Sequence, residues 1–308
     1  MNHTPVLLKE VIRFLDPAPG SFQIDGTVNG GGHAGELVKR VGSGGRLLAV
    51  DRDPRLLSAF MSSPAGRQAN VIGVAGSYAD IPAILKKKKL PKADGLLLDL
   101  GFSSAQLEAG RGFSFKAEHA LDPLDMRYAE TGVTAAEVVN SLSREELERI
   151  FREFGEERYA RRIAEAIVVS RRKKKIITVG DIVAILKALV PGNYDAGRLN
   201  PATRVFQALR IYVNHELDEL TKVLGELEQI IVPGGRICVI SFHSLEDRLV
   251  KRRFRELSRV GCLTLLTKKP ITSSLEEAKE NPRSRSAKLR AAVVRQSRPS
   301  SAKGQYNC

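Results

Sequence analysis

Ser21-Phe22-Gln23-Ile24-Asp25-Gly26-Thr27-Val28-Asn29-Gly30-Gly31-Gly32-His33-Ala34-Gly35 decides the architecture of this chain. A short apolar run ends on an acid, a glycine-rich loop follows, and Glu36, Leu37 and Val38 continue as a helix. Strand, glycine loop and helix in that order open a βαβ unit, because glycines let the backbone turn tightly and approach a ligand closely. Outward from it, short apolar runs alternate with helical patterns, which predicts a parallel sheet of the α/β class. Arg46-Leu47-Leu48-Ala49-Val50-Asp51 reads as a second strand that also ends on an acid, Val71–Ala75 as a third, and Gly95-Leu96-Leu97-Leu98-Asp99 as a fourth. The fourth is apolar along its length, as a strand covered on both faces is.

The next strand of this kind is Arg236-Ile237-Cys238-Val239-Ile240-Ser241. A βαβ crossover needs about 30 residues in all, so roughly 100 residues before Arg236 are surplus and predict an inserted helical domain. The division expected is 1–107 for the first part of the sheet domain, 108–200 for the insert, and 201–308 for the second part with a basic tail. Within the insert, Ser143 with Glu146 forms a capping box ahead of Leu147, Ile150, Phe151 and Phe154, with Gly155 as the stop. Thr178 with Asp181 repeats the device ahead of Ile182, Ile185, Leu186 and Leu189. These stripes read as core faces. Pro201 suits the first turn of a long helix carrying Val205, Phe206, Leu209, Val213, Leu217, Leu220 and Leu224, which Pro233-Gly234-Gly235 ends. Leu263-Thr264-Leu265-Leu266-Thr267 and residues 289–294 read as two terminal strands.

The 308 residues are 43% hydrophobic, enough for a substantial core, and carry a formal net charge of +14. Residues 281–308 hold no acid but seven basic side chains, Arg283, Arg285, Lys288, Arg290, Arg295, Arg298 and Lys303. Basic runs also occur at 86–89 and 171–175. Blocks of this kind mark contact with phosphates more often than a randomly solvated face, so nucleic acid is the expected partner. Cys238, Cys262 and Cys308 are too few and too scattered for a disulfide framework or a metal site, and no metal is expected. No basic segment followed by an apolar one stands at the start, and no apolar run approaches the roughly 18 residues that cross a bilayer. A cytoplasmic protein is expected, and nothing in the pattern chooses between a monomer and a homodimer.

An acid closing the first strand, a glycine loop and an acid closing the second strand form one physical device. The loop amides meet a ligand, and the second acid, here Asp51, accepts hydrogen bonds from a ribose diol. Residues 30–35 also satisfy G-x-G-x-x-G, which taken alone fits a nicotinamide-dependent dehydrogenase as well as a methyltransferase. Three features favour a methyltransferase. No second mononucleotide-binding half follows. The fourth strand ends in Asp99-Leu100-Gly101-Phe102, where amino-methyltransferases keep a polar residue beside the target amine. Two strands follow the fifth, as in the strand pair that closes a methyltransferase sheet. The expected fold is therefore a Rossmann-like sheet of the S-adenosylmethionine-dependent class with an inserted helical domain. A non-catalytic RNA-binding protein is the remaining alternative. Asp99 is the candidate hydrogen-bond acceptor for a target amine. His243, after the fifth strand, is a candidate RNA contact or proton relay, or a histidine capping a turn.

At Asp99-Leu100-Gly101-Phe102-Ser103-Ser104-Ala105-Gln106-Leu107 the chain resembles the bacterial 16S ribosomal RNA (cytosine-N(4))-methyltransferase family, known as RsmH or MraW. The resemblance extends over His3-Thr4-Pro5-Val6-Leu7-Leu8, Asp25-Gly26-Thr27 with Gly31-Gly32-His33, Asp51-Arg52-Asp53 and Arg111-Gly112-Phe113-Ser114-Phe115. It continues through Pro123-Leu124-Asp125-Met126-Arg127, Pro201-Ala202-Thr203-Arg204, Phe206-Gln207-Ala208-Leu209-Arg210, Ile240-Ser241-Phe242-His243-Ser244-Leu245-Glu246-Asp247 and Asn281-Pro282-Arg283-Ser284-Arg285-Ser286. Ala105, Asn200 and Tyr128 depart from it, at positions where the family has Pro, His and Met. The resemblance implies S-adenosyl-L-methionine as cofactor, contacted by Gly31, Gly32, His33, Asp51, Tyr78, Asp99 and Gln106. It implies a decoding-centre cytidine of 16S rRNA in the small ribosomal subunit as substrate, with the helical insert recognising the RNA.

Overall fold

The fold comes from a computed structural model, and the structure describes residues 5–189 and 200–295. His3, Thr4, Arg298, Lys303 and Cys308 lie outside the described residues. The chain divides into two compact units: Met1–Gly101 with Leu217–Cys308, and Phe102–Glu216.

The first unit holds seven strands, β1 (Phe22–Asp25), β2 (Arg46–Asp51), β3 (Val71–Ala75), β4 (Ala93–Asp99), β5 (Ile231–Ser241), β6 (Leu263–Leu265) and β7 (Lys288–Val294). They form one sheet in the order β3-β2-β1-β4-β5-β7-β6. β1 to β5 run parallel, and β7 lies antiparallel to both β5 and β6. The order reverses between β1 and β4, the switch point outside whose carboxyl ends ligands bind in open α/β sheets.

Both faces of the sheet are covered. Ile24, Leu48, Val50, Leu96, Leu98, Ile237 and Val239 join one core. Leu47, Ala49, Leu97, Cys238 and Ile240 join the other. Strict alternation sends neighbours to opposite cores, so a run such as Leu96-Leu97-Leu98 has no solvent side; each leucine is fully buried, worth about 2 kcal/mol apiece. Helices α1 (Leu8–Leu15), α2 (Gly32–Val41) and α3 (Pro54–Met61) contribute to the Leu97 side, and α4 (Ile81–Lys88) to the Leu98 side.

In the second unit, α5 (Ser104–Glu108), α6 (Ala135–Ser141), α7 (Arg144–Glu153), α8 (Ala160–Lys173), α9 (Val179–Leu189) and α10 (Pro201–Asn214) surround a separate core. Leu147, Ile150 and Phe151 of α7 are buried in it together with Ile163, Ile167, Ile182 and Leu186. The Ser143/Glu146 box is formed in both directions, and Thr178 and Asp181 exchange backbone N–H bonds at 3.0 and 3.2 Å.

Two expectations need correction. The single helix from Pro201 to Leu224 is two helices, α10 and α11 (Glu216–Gly225), parted at His215, whose φ of 52° is left-handed. Apolar spacing cannot register one left-handed residue, but the side chains lock it: Asn214 Nδ2 donates to the Arg210 and Met126 carbonyls, and Arg210 pairs with Glu216 through both Nε and Nη2. With Ala202, Val205, Phe206, Ala208 and Leu209 in the second core, α10 belongs to the helical unit Phe102–Glu216. Pro233-Gly234-Gly235 is no break either. β5 starts at Ile231, and a register shift between Ala93 and Gly95 absorbs the extra length where Gly234 takes φ 86°. The chain continues through α12 (Leu227–Ile230), α13 (Ser244–Arg259) and α14 (Leu275–Glu280) in the first unit.

Candidate cofactor site

β1, β2 and β4 each end on an acid at the carboxyl edge of the sheet. Asp25 lies in register with Ala49 and Leu97, so Asp51 and Asp99 each sit two residues further along their strands and share its face. The loop after β1 ties the three together. Gly26 N–H donates to Leu97 O at 2.9 Å, and a Cβ there would stand 2.6 Å from Leu98 Cδ2, so only glycine leaves room. Thr27 N–H donates to Asp25 Oδ1 at 3.1 Å, while Thr27 Oγ1 accepts from Asp99 N–H at 2.6 Å. Asn29 N–H donates to Asp51 Oδ2 at 2.7 Å, and its side-chain Nδ2 donates to Asp99 O at 3.3 Å. Gly31, at φ 78°, is the N-cap of α2, and no acid occupies that helix's first turn. Backbone N–H groups at a helix start attract an anionic group.

Asp25 is wholly buried, Asp99 is 4% and Asp51 6% exposed. Burial in low dielectric disfavours the charged form, and it pushes Asp25 up to about 8 and Asp51 and Asp99 up to about 7. Backbone N–H donors offset part of this at each acid. Asp51 and Asp99 raise Asp25 further, and the positive field of Arg283 lowers Asp99. Asp25 Oδ2 is buried with no hydrogen-bond partner. Three buried carboxyls under mutual strain, one with an unused oxygen, suit a cationic ligand that also offers hydroxyl donors. A sulfonium nucleoside bearing an α-amino and an α-carboxylate group matches this set, with the carboxylate suited to the α2 N-terminus and the ribose to Asp51.

The remaining sequence candidates fall as follows. Gly31, Gly32, His33, Asp51, Tyr78 and Asp99 all lie in the first unit, with Tyr78 buried just after β3 and its Cβ 3.1 Å from the Cβ position of Gly26. The His33 side chain is held in place: Nε2–H donates to Val6 O at 2.9 Å, and Nδ1 lies 3.6 Å from Asp99 Oδ2. Gln106 lies in the second unit, where its Oε1 accepts from Ser103 N–H at 2.8 Å as half of a capping box. His243 is the N-cap of α13. Its Nδ1 accepts from Glu246 N–H at 3.4 Å, while its buried Nε2, 3.0 Å from Glu246 Oε1, makes no hydrogen bond. Asp25, Thr27 and Asn29, part of the strand-end and loop device but not singled out as cofactor contacts, lie in the same network. Their signal was present in the same loop, since an acid that ends β1 in step with Asp51 and Asp99 has to join them.

The second unit carries a ladder of flat groups. Arg210 Cζ lies 4.9 Å over the Phe102 ring, Phe102 stacks on Phe113 at 6.5 Å, and Phe113 stacks on Tyr128 at 5.5 Å. Tyr128 also donates its hydroxyl to Glu216 Oε1 at 3.1 Å. Of the basic runs, Lys86, Lys87, Lys88 and Lys89 are exposed, as are Arg172, Lys173 and Lys175. Arg171 instead donates to the Val139 and Leu142 carbonyls, and Lys174 pairs with Asp181.

This sheet order, with three acids and a glycine loop at the switch point, defines a Rossmann-like methyltransferase that uses S-adenosylmethionine. The chain belongs to the MraW methylase family, whose pattern matches residues 1–295. A relative from Syntrophotalea carbinolica, named Ribosomal RNA small subunit methyltransferase H, is 46% identical over 94% of this chain and 97% of its own length. Relatives of the same name from Persephonella marina, at 43% over 95% and 99%, and Deinococcus radiodurans, at 46% over 94% and 88%, agree. Among the described residues no helix is long and apolar enough to cross a membrane.

Proposed function

We propose that this chain methylates the exocyclic N4 amine of a decoding-centre, P-site cytidine in 16S rRNA, acting in the cytoplasm on the small ribosomal subunit. The names of the relatives support ribosomal RNA of the small subunit as the substrate class. The observation that carries the reaction is Asp99: a buried carboxyl at the end of β4, raised to about 7, on the same edge as the glycine loop.

When bound, S-adenosylmethionine supplies an electrophilic methyl group on a sulfonium, so the protein's task is position and electrostatics. Asp51 would accept the ribose hydroxyls, the start of α2 would receive the carboxylate, and Asp25 would balance positive charge. A cytosine amine is a weak nucleophile because its lone pair is delocalised into the ring. Asp99 would accept a hydrogen bond from that amine, returning electron density to nitrogen, and would take up the amine proton as the N–C bond forms and the methyl–sulfur bond breaks to leave a neutral thioether. His33, fixed by Val6 O, holds Nδ1 towards the other side of the Asp99 carboxyl. His243 acts here as a helix cap.

The target base leaves its stack at a cost of about a few kcal/mol. The exposed lysines at 86–89, 173 and 175 suit contact with RNA phosphates. Mapping modified nucleosides in 16S rRNA from cells with and without the protein tests the reading. Loss of a base-methylated cytidine supports it, and an unchanged profile refutes it.

A further inference from the structure

Glu219, on the helix where the chain re-enters the sheet unit, has no place in the sequence candidates. Its carboxylate reaches two separate loops. Oε2 accepts from Arg52 Nη1 at 2.9 Å and from Ser77 Oγ at 2.7 Å. Arg52 directly follows Asp51 at the end of β2, and Ser77 directly precedes Tyr78 after β3. The same two loops meet through the backbone, where Gly76 N–H donates to Asp51 O at 2.9 Å, and Ser77 Oγ also accepts from Ala79 N–H at 3.0 Å. Ser77 is buried, and the Arg52 and Glu219 side chains are 23% and 20% exposed. A carboxylate in such surroundings holds its donors far more firmly than an exposed pair does.

A ligand's nucleoside end needs Asp51 and Tyr78 at a fixed separation, and Asp51 closes β2 while Tyr78 stands three residues beyond the end of β3. The Gly76 bond and Glu219 both link the segments that follow β2 and β3. We propose that Glu219 is a positioning residue for the cofactor pocket, clamping the loops after β2 and β3 so that Asp51 and Tyr78 face the nucleoside in register. The proposal rests on the cofactor reading of Asp51 and Tyr78. It concerns affinity and not the methyl-transfer step, because the bonds of Glu219 to Arg52 and Ser77 act on the segments that carry the nucleoside contacts. α11 bears a second bridge to the same region, Lys222 Nζ to Asp80 Oδ1 at 3.0 Å, but both partners are about half exposed, so it serves as a control.

The test is calorimetric titration of S-adenosylmethionine, and separately of adenosine, into the full-length wild type and the Glu219→Ala, Glu219→Gln, Ser77→Ala and Lys222→Ala variants. Circular dichroism melting confirms that each variant is folded. Glu219→Ala weakens both ligands by about tenfold, since loss of one acceptor frees a charged and a neutral donor. Glu219→Gln, which keeps an acceptor oxygen, recovers part of the loss, and Lys222→Ala stays within about twofold. The Glu219→Ala and Ser77→Ala changes combined cost about as much as Glu219→Ala alone, because both break the same clamp. With saturating cofactor, the turnover of Glu219→Ala stays within about twofold of wild type. Wild-type binding of both ligands with unchanged affinity in Glu219→Ala overturns the clamp, as does a full multiplication of the two single effects. No binding of either ligand by the folded wild type overturns the cofactor reading itself.

Discussion

Raising the pH from 6 to 8 tightens S-adenosylmethionine binding, and the buried acids set the size of the change. Asp51 must be ionised to accept the ribose hydroxyls, and in the free protein its burial places it at about 7. Binding to the ionised form alone weakens the apparent Kd by a factor of 1 + 10^(pKa − pH), roughly 11 at pH 6 and roughly 1.1 at pH 8. One acid thus contributes about tenfold, or about 1.4 kcal/mol. Asp25, at about 8, contributes up to about fiftyfold over the same span. The two are not independent, since ionising one raises the other, so the expected total lies between about tenfold and a few hundredfold. The stability of the ligand-free protein has the opposite sign. Carboxyls raised above the ordinary 3.8 lend their stability below about pH 4 and lose it as the pH climbs through 7 to 8. A cationic ligand restores it, so the thermal shift caused by S-adenosylmethionine grows from pH 6 to 8. Calorimetry at pH 6, 7 and 8 measures the effect, and Asp51→Asn removes about a tenfold share of the slope. The demethylated product, with no sulfonium charge, shows a shallower dependence. Affinity that is flat with pH, or tighter at pH 6, refutes this electrostatic account.

Three other outcomes are expected. Asp99→Asn lowers kcat by about a hundredfold or more, the usual share of a positioned acid–base group, which single-turnover kinetics at saturating cofactor measures; unchanged turnover with unchanged cofactor affinity removes Asp99 from the chemistry. Gly26→Ala forces a methyl to 2.6 Å from Leu98 Cδ2 in a packed core and destabilises the fold by about 1–3 kcal/mol, read from urea denaturation; a midpoint equal to wild type contradicts the packing. RNA affinity falls roughly 300-fold between about 50 and 200 mM salt if about six phosphates are neutralised at a slope near −0.7 each, and a filter-binding series that stays flat disposes of the phosphate contacts.

The strands were legible because each joins an uninterrupted apolar run to a polar stop, and Asp25, Asp51 and Asp99 are those stops. The Ser143 and Thr178 caps were legible for the same reason, since local hydrogen bonds need only three residues' spacing. The end of α10 was not. It depends on a left-handed residue held by Asn214 and by the Arg210–Glu216 pair, and a helical stripe of apolar residues runs straight past it. The β5 bulge was hidden likewise, because a proline and two glycines read as a turn until their neighbour Asp94 is seen in the adjoining strand. Within the site, the acids and glycines carry their chemistry in their identity. Glu219 does not. Its role comes from meeting Arg52 and Ser77 across more than a hundred residues of chain, a separation no motif encodes.

The most direct measurement is transfer of radiolabelled methyl from S-adenosylmethionine to purified small ribosomal subunits, followed by digestion of the RNA and separation of its nucleosides. The account expects label in N4-methylcytidine with wild-type protein, and greatly reduced label with Asp99→Asn under the same conditions. Label confined to another nucleoside, or none at all from a folded protein that binds the cofactor, contradicts it.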